Sequence, residues 1–427
     1  MIENEMDEKR PVILAGLDRQ NDDFDYQMEE LANLVEANHM DPVATVTQKL
    51  DRPNPGTYFG KGKVEALKEA VDYYQVDMVV TNDELTPSQI RNLEAGTGVT
   101  VIDRTALILD IFASRAKTKV AKLQVEIAQL QYQLPRLRTS MNVRLDQQTG
   151  GNGGSFTSRG AGETKLEMNR RHIEHQIGEL RKELAEIEAD DATRRARREK
   201  ENIKNVALIG YTNAGKSTIM NALVRRFGEN QDKTVFQADM LFATLETSVR
   251  KLNLPDKQSF LLSDTVGFVS HLPHGLVAAF KATLAEAASA DLLVQVVDYS
   301  DPNYKEMMKT TADTLKEIGV GDIPMIVVYN KADKCEDVPY PEREGDDLIL
   351  SAPEESSQDM LLDAIRQHIF SDLIEKTVLI PFDQGQVVSE LNDQATVLST
   401  EYVENGTQMQ VILTPTQLGR FEKYVID

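Results

Sequence analysis

Apolar positions along this 427-residue chain change their period from one stretch to the next. Over the first hundred residues, short apolar runs at 12–17, 43–47, 76–81 and 99–103 have the length and β-branched content of buried strands. Residues 25–37, 63–74 and 87–94 carry apolar side chains at helical spacing between them. Strands alternating with helices predict a small, mostly parallel α/β domain over residues 1–104. From Thr105 the pattern becomes helical throughout. Val120, Leu123, Ile127, Leu130 and Leu134 alternate in steps of three and four, the period of a coiled coil, until Pro135 stops the run. Ile173, Ile177, Leu180, Leu184 and Ile187 repeat it. A glycine-rich, low-complexity segment, 149–162, lies between the two. Two heptad stretches joined by one such loop predict an antiparallel helical hairpin over residues 105–202, with the loop at its tip.

Residues 203–371 return to α/β patterning. The run 206–209 reads as a buried strand, and Ile219, Met220, Leu223 and Val224 follow at helical spacing. Further strands are predicted at 259–263, 324–329 and 348–350. Residues 372–427 read as a small α+β domain with strands near 378, 397 and 409 and two short helices. We find no chemistry in this last stretch.

The strand at 206–209 runs into Gly210, Tyr211, Thr212, Asn213, Ala214, Gly215, Lys216, Ser217 and Thr218. A glycine-bounded loop joining a strand to a helix N-terminus aims backbone N–H groups and the helix dipole at one spot. Gly210 and Gly215 permit backbone angles and close approaches that a side chain forbids. Lys216 supplies a cation to the β- and γ-phosphates of a nucleotide, and Ser217 a hydroxyl to Mg²⁺. Farther along, Asn330, Lys331, Ala332 and Asp333 leave the strand at 324–329. The Asp333 carboxylate can accept two hydrogen bonds from guanine, from its ring N–H and its exocyclic amine, which adenine does not offer in that arrangement. Ser351 and Ala352, after the strand at 348–350, are candidates for the last base-contacting loop. Between the two motifs, Asp264 ends a strand where a carboxylate holds Mg²⁺ through its water shell. Gly267, three residues on, leaves its N–H free to approach the γ-phosphate. These motifs predict a P-loop GTPase that binds GTP and GDP and hydrolyses GTP.

The first switch of such an enzyme supplies a threonine to Mg²⁺. Thr244, in Phe242-Ala243-Thr244-Leu245, is our choice, with Thr234 and Thr247 as rivals. The expected catalytic set is Lys216, Thr244 and Gly267; the expected metal ligands are Ser217, Thr244 and Asp264. After Gly267 stands Phe268, which cannot orient water by hydrogen bonding. The catalytic group therefore comes from a partner or a bound ion. Asn213 is a candidate K⁺ ligand, and a plain turn residue is the competing reading.

Composition narrows the rest. The formal net charge is −22, which argues against free nucleic acid as a generic partner. Residues 111–200 nonetheless carry 18 Lys/Arg against 12 Asp/Glu, so this middle stretch is +6 and the remainder −28. A basic middle suits a polyanion, and a plain solvated helix surface looks the same. Arg136, Arg138, Arg144 and Arg159 flank or occupy the glycine-rich tip and are the RNA-contact candidates. The single cysteine, Cys335, excludes an internal disulfide and suits a reducing compartment. The acidic N-terminus lacks the apolar run of a signal peptide, and no stretch approaches the ~18 consecutive apolar residues of a membrane span. A cytoplasmic monomer is expected.

The chain resembles the HflX family of ribosome-associated GTPases over nearly its whole length. The resemblance rests on YFGKGKVE at 58–65, DELTPSQ at 83–89, VIDRTALILDIFA at 101–113 and KLQVE at 122–126. It continues through RGAGETKLE at 159–167, GYTNAGKST at 210–218, FATL at 242–245 and DTVGF at 264–268. Two positions depart from the family pattern: Ala161 stands where proline is usual, and Pro353 where lysine is usual. The resemblance implies binding to the large ribosomal subunit, with the N-terminal domain and hairpin near the rRNA of the peptidyl transferase centre. It implies a role in splitting or rescuing stalled ribosomes under stress. The competing class is a regulatory module whose GTP state recruits a protein through the coiled coil. A tRNA-modifying GTPase would need a second active site, and none is visible.

Overall fold

The computed structural model describes residues 9–19, 23–137, 157–200, 203–228, 241–242, 247–255, 258–269 and 285–426. The chain divides into two compact units. The first is Met1–Arg194, together with the described residues of Ala238–Glu246 and Val266–Thr283. Arg195–Gln237, Thr247–Thr265 and Leu284–Asp427 make up the second.

The first unit opens with β1 (Arg10–Asp18), α1 (Phe24–Ala37), β2 (Met40–Lys49), α2 (Lys61–Tyr74), β3 (Met78–Thr81), α3 (Pro87–Thr97) and β4 (Thr100–Asp103). Its sheet is parallel throughout, in the order β2-β1-β3-β4. The start of α3 shows how locally the sequence sets these elements. Pro87 occupies the first turn, and Thr86 and Gln89 bond each other's backbone N–H at 3.3 and 2.9 Å, a capping box.

α4 (Arg104–Arg115) follows β4 directly, with Asp103 accepting the Ala106 N–H at 2.9 Å as its cap. Sequence patterning assigns this helix to the hairpin, from Thr105. The structure packs it on α1, β3 and β4 as well as on the following helix, with Leu107, Ile108, Leu109, Ile111 and Phe112 all buried. A helix apolar on several sides closes a domain core; it does not project from it. α5 (Lys119–Gln133) starts afresh, capped by Thr118, whose Oγ1 accepts the Ala121 N–H at 3.2 Å. α6 (Thr157–Lys200) begins inside the glycine-rich stretch expected to be loop. The helix carries through Gly160 and Gly162 although each costs about 1 kcal/mol relative to alanine. Along α6, Ile173, Ile177, Leu180, Leu184 and Ile187 are all at least partly covered, and Ile177 is buried. Lys119 at the start of α5 pairs with Glu183 of α6 at 2.6 Å.

The second unit contains β5 (Lys204–Gly210), α7 (Lys216–Phe227), β6 (Ser248–Asn253), β7 (Ser259–Asp264), α8 (Ala285–Ala288), β8 (Leu292–Asp298), α9 (Tyr304–Ile318), β9 (Met325–Asn330), β10 (Glu342–Glu344), β11 (Asp347–Ile349) and α10 (Glu355–Ile369). The sheet order is β10-β11-β9-β8-β5-β7-β6, parallel from β11 to β7 with an antiparallel strand at each edge. Ile219, Met220, Leu223 and Val224 of α7 and Leu361 and Ile365 of α10 join the strand side chains in one core. β12 (Ile374–Ile380), α11 (Gly385–Gln394), β13 (Thr396–Val403), β14 (Gly406–Leu413) and α12 (Pro415–Phe421) complete the chain. These strands form an antiparallel sheet, β12-β14-β13, around a core of its own that includes Val378, Ile380, Met409, Val411 and Phe421.

Candidate nucleotide-binding site

β5 is buried almost along its length, so its carboxyl end is fixed by the sheet on both sides. Gly210 leaves it at φ 139°, and a Cβ there would lie 2.2 Å from the Val296 carbonyl oxygen. Gly215 sits at φ 100°, with the Asn330 amide nitrogen 2.2 Å from where its Cβ would be. These two positions need glycine because strand β8 and the β9 corner press against the loop. Asn213 adopts the left-handed region at φ 60°, which asparagine tolerates better than most residues. Ser217 and Thr218 fall in the first turn of α7, where the helix N-terminus favours anions.

Lys216 folds back over the loop and donates to the Gly210 and Tyr211 carbonyls at 3.0 and 2.7 Å. Burial lowers its ammonium to about 8, against the opposing pull of Asp264. Ser217 Oγ donates to Asp264 Oδ2 at 2.7 Å. Burial raises the Asp264 carboxyl above the ordinary range, opposed by the Lys216 charge and the Ser217 hydrogen bond. Among the described residues Asp264 Oδ1 is buried without a hydrogen-bond partner. A buried acceptor left unpaired is costly, and a hydroxyl beside a carboxylate is an oxygen donor set suited to a hard divalent cation. Ser217 and Asp264 therefore fit Mg²⁺. Thr265 is tied to β5 through Oγ1 donating to the Leu208 carbonyl at 2.7 Å.

The base-recognition residues converge on the same end of the sheet. Asn330 donates through Nδ2 to the Ala214 carbonyl at 2.8 Å and accepts the Ala352 N–H on Oδ1 at 3.0 Å. One side chain thus joins the phosphate loop to the Ser351-Ala352 loop. Ser351 Oγ donates to Asp333 Oδ1 at 2.7 Å, which orients the carboxylate. Gln358 closes the loop by donating to the Ala352 and Pro353 carbonyls at 3.0 and 3.2 Å. Lys331, at φ 65°, pairs with Asp298 at 2.7 Å. Cys335 follows this corner, and burial with the charges of Asp298 and Asp333 raises its thiol, in keeping with an inert side chain.

Gly267 and Phe268 are buried, and by contacts belong to the first unit. Thr244, Thr234, Arg138 and Arg144 lie outside the described residues, as does the side chain of Arg159. Arg136 is engaged inside the first unit. It donates to the Tyr132 and Leu85 carbonyls at 2.8 and 2.9 Å, pairs with Asp103 at 3.1 Å and lies over the Tyr132 ring. With its side chain only 17% exposed, Arg136 serves this network and is not presented as an RNA contact. Sequence reading missed Asp298 altogether, and with it strand β8.

The curated GTPase HflX of Caldanaerobacter subterraneus subsp. tengcongensis is 40% identical over 98% of this chain and 94% of its own length. The chain belongs to the HflX family of GTPases. The GTPase HflX of Escherichia coli K12 is 36% identical over 88% of this chain and 87% of its own. Three family descriptions match successive stretches of the chain: GTP-binding GTPase N-terminal at 25–113, GTP-binding GTPase Middle Region at 115–198, and 50S ribosome-binding GTPase at 205–331. Among solved structures, a GTP-binding protein from the archaeon Sulfolobus solfataricus, in complex with GDP, covers 85% of this chain and 99% of its own at 24% identity and a TM-score of 0.44. As a family member the chain is an enzyme that hydrolyses GTP. Among the described residues no helix is long and apolar enough to cross a membrane.

Proposed function

We propose that this GTPase binds the large ribosomal subunit in its GTP state and uses hydrolysis to act on ribosomes, splitting or rescuing stalled ones. The observation that carries this reading is the match of 205–331 to a family described as 50S ribosome-binding GTPase, within a full-length likeness to HflX proteins. The +6 charge of residues 111–200 in a protein of −22 supports it, because rRNA is a polyanion. With Arg136 held internally, contact with rRNA near the peptidyl transferase centre falls to Arg138, Arg144 and Arg159, which follow α5 in the chain. The protein acts in the cytoplasm as a monomer.

In the nucleotide site the loop N–H groups and Lys216 hold the phosphates, and Asp333 reads the base edge. Ser217 and Asp264, with Thr244 from the first switch, would hold Mg²⁺. When bound, that ion neutralises charge on the β- and γ-phosphate oxygens. Asn213, in its left-handed turn, is the candidate ligand for K⁺. The Phe268 side chain, buried and without a polar atom, orients no water, so the group that does so comes from the ribosome or from an ion.

Co-sedimentation tests the reading. Purified protein should pellet with large subunits in a non-hydrolysable GTP analogue and remain in the supernatant in GDP. Failure to pellet in either state would overturn it.

A further inference from the structure

The corner where β8 and β9 end side by side contains a carboxylate that belongs to none of the nucleotide motifs. Asp298 lies in register with Asn330, and the pairing continues one residue farther through Tyr299 N–H donating to the Asn330 carbonyl at 2.8 Å. The Asp298 oxygens are divided between two tasks. Oδ1 accepts from Ser300 Oγ at 2.6 Å and from Ser300 N–H at 3.1 Å, and Oδ2 receives the Lys331 ammonium at 2.7 Å. Both charged side chains are 17% exposed. The rings of Tyr299 and Tyr329 meet edge to face at 5.3 Å beside the same corner.

We propose that Asp298 is a positioning residue for guanine recognition, acting through Lys331. The proposal rests on reading Asn330 to Asp333 as the guanine site. An isolated lysine is a flexible four-carbon stem whose ordering opposes binding. Lys331 departs from that state in two ways. Its backbone is turned into the left-handed region at φ 65°, and its ammonium is held by a carboxylate that Ser300 has already fixed. Lys331 stands in the chain between Asn330, which is bonded to the phosphate loop, and Asp333, which is held by Ser351, so fixing its ammonium limits where its stem can lie. A surface ion pair contributes little, because water and mobile side chains dilute it. This one is mostly covered and anchored from both sides, so its loss should be felt in binding.

Asp298→Asn keeps the size and the Ser300 contact but removes the charge. It should raise the Kd for GDP and the KM for GTP about tenfold, the weight of one charge-assisted hydrogen bond, with kcat at saturation falling less than twofold. In a Lys331→Met background, which keeps an apolar stem without the ammonium, the same change should add less than twofold. Titration of GDP and ADP into each protein and steady-state GTP hydrolysis, with thermal melts as a folding control, read these effects. A wild-type protein that does not prefer GDP to ADP would overturn the guanine reading itself. Preference for GDP with unchanged affinity in Asp298→Asn would overturn only the role of Asp298. A tenfold loss persisting in the Lys331→Met background would show that Asp298 acts without Lys331, and would also overturn it. Should Asp298→Asn fail to fold, Ser300→Ala, which removes the hydroxyl bond to Oδ1 and leaves the backbone one, should weaken GDP binding about threefold. No change in that variant would sink the proposal.

Discussion

At Asp333 the carboxylate is already aimed, since Ser351 Oγ holds one of its oxygens at 2.7 Å. Guanine's ring N–H and amine need two acceptors at that edge. Asp333→Asn replaces one of them with a donor, which opposes the amine of guanine and suits the carbonyl of xanthine. GTP affinity should fall by about 100-fold, the scale of an unpaired buried polar group in a site built to bond it, while xanthosine nucleotide binding improves. Competition titration checks this, and equal GTP affinity in the variant would contradict the assigned role. Asp333 was legible in the sequence because its motif is contiguous, as were Gly210 to Thr218. Asp298 was not, because its link to Lys331 runs across two strands paired in register, and one sequence carries no spacing rule for such a contact. Ser351 stood between these cases: a frequent dipeptide gained weight only when its hydroxyl was found on Asp333.

Among elements, strands with unbroken apolar runs such as β5 could be read directly, whereas β8 was passed over. Gln295, 3% exposed, interrupts its apolar run and hides a central strand. α4 was read as part of the arm because its helical period continues towards α5, although being apolar on several sides already spoke for core. The joint between α5 and the sheet is where this distinction can be measured. Arg136 follows α5 and reaches Asp103, which is fully buried at the end of β4 and caps α4. Arg136→Ala leaves that carboxylate without its cationic partner, with the Tyr132 hydroxyl and two backbone N–H groups, from Leu85 at 3.0 Å and Ala106 at 2.9 Å, as its hydrogen-bond partners. The variant should lose about 2 kcal/mol of stability, as expected when one partner of a covered charge pair is removed. Denaturant unfolding reads this loss. Unaltered stability together with lost ribosome binding would instead return Arg136 to the RNA-contact set.

For the whole molecule the decisive quantity is the rate of GTP hydrolysis. The phosphate loop, Lys216 and the Ser217–Asp264 pair provide for binding and for Mg²⁺, yet Phe268 occupies the place where a water-orienting side chain would be expected. An enzyme complete in binding and incomplete in water orientation should turn over slowly alone. Completing such a site in trans raises the rate by about 10³- to 10⁵-fold in well-studied GTPases. Large subunits should therefore stimulate hydrolysis strongly, either by ordering the loops around Thr244 and Gly267 or by supplying a group directly. If Asn213 helps to hold K⁺, exchanging potassium for sodium should lower the basal rate as well. Steady-state hydrolysis in each salt, with and without subunits, separates these contributions. A rate that is already fast alone, and indifferent to both subunits and cation, would place the water-orienting group within this chain and outside the residues assigned to it.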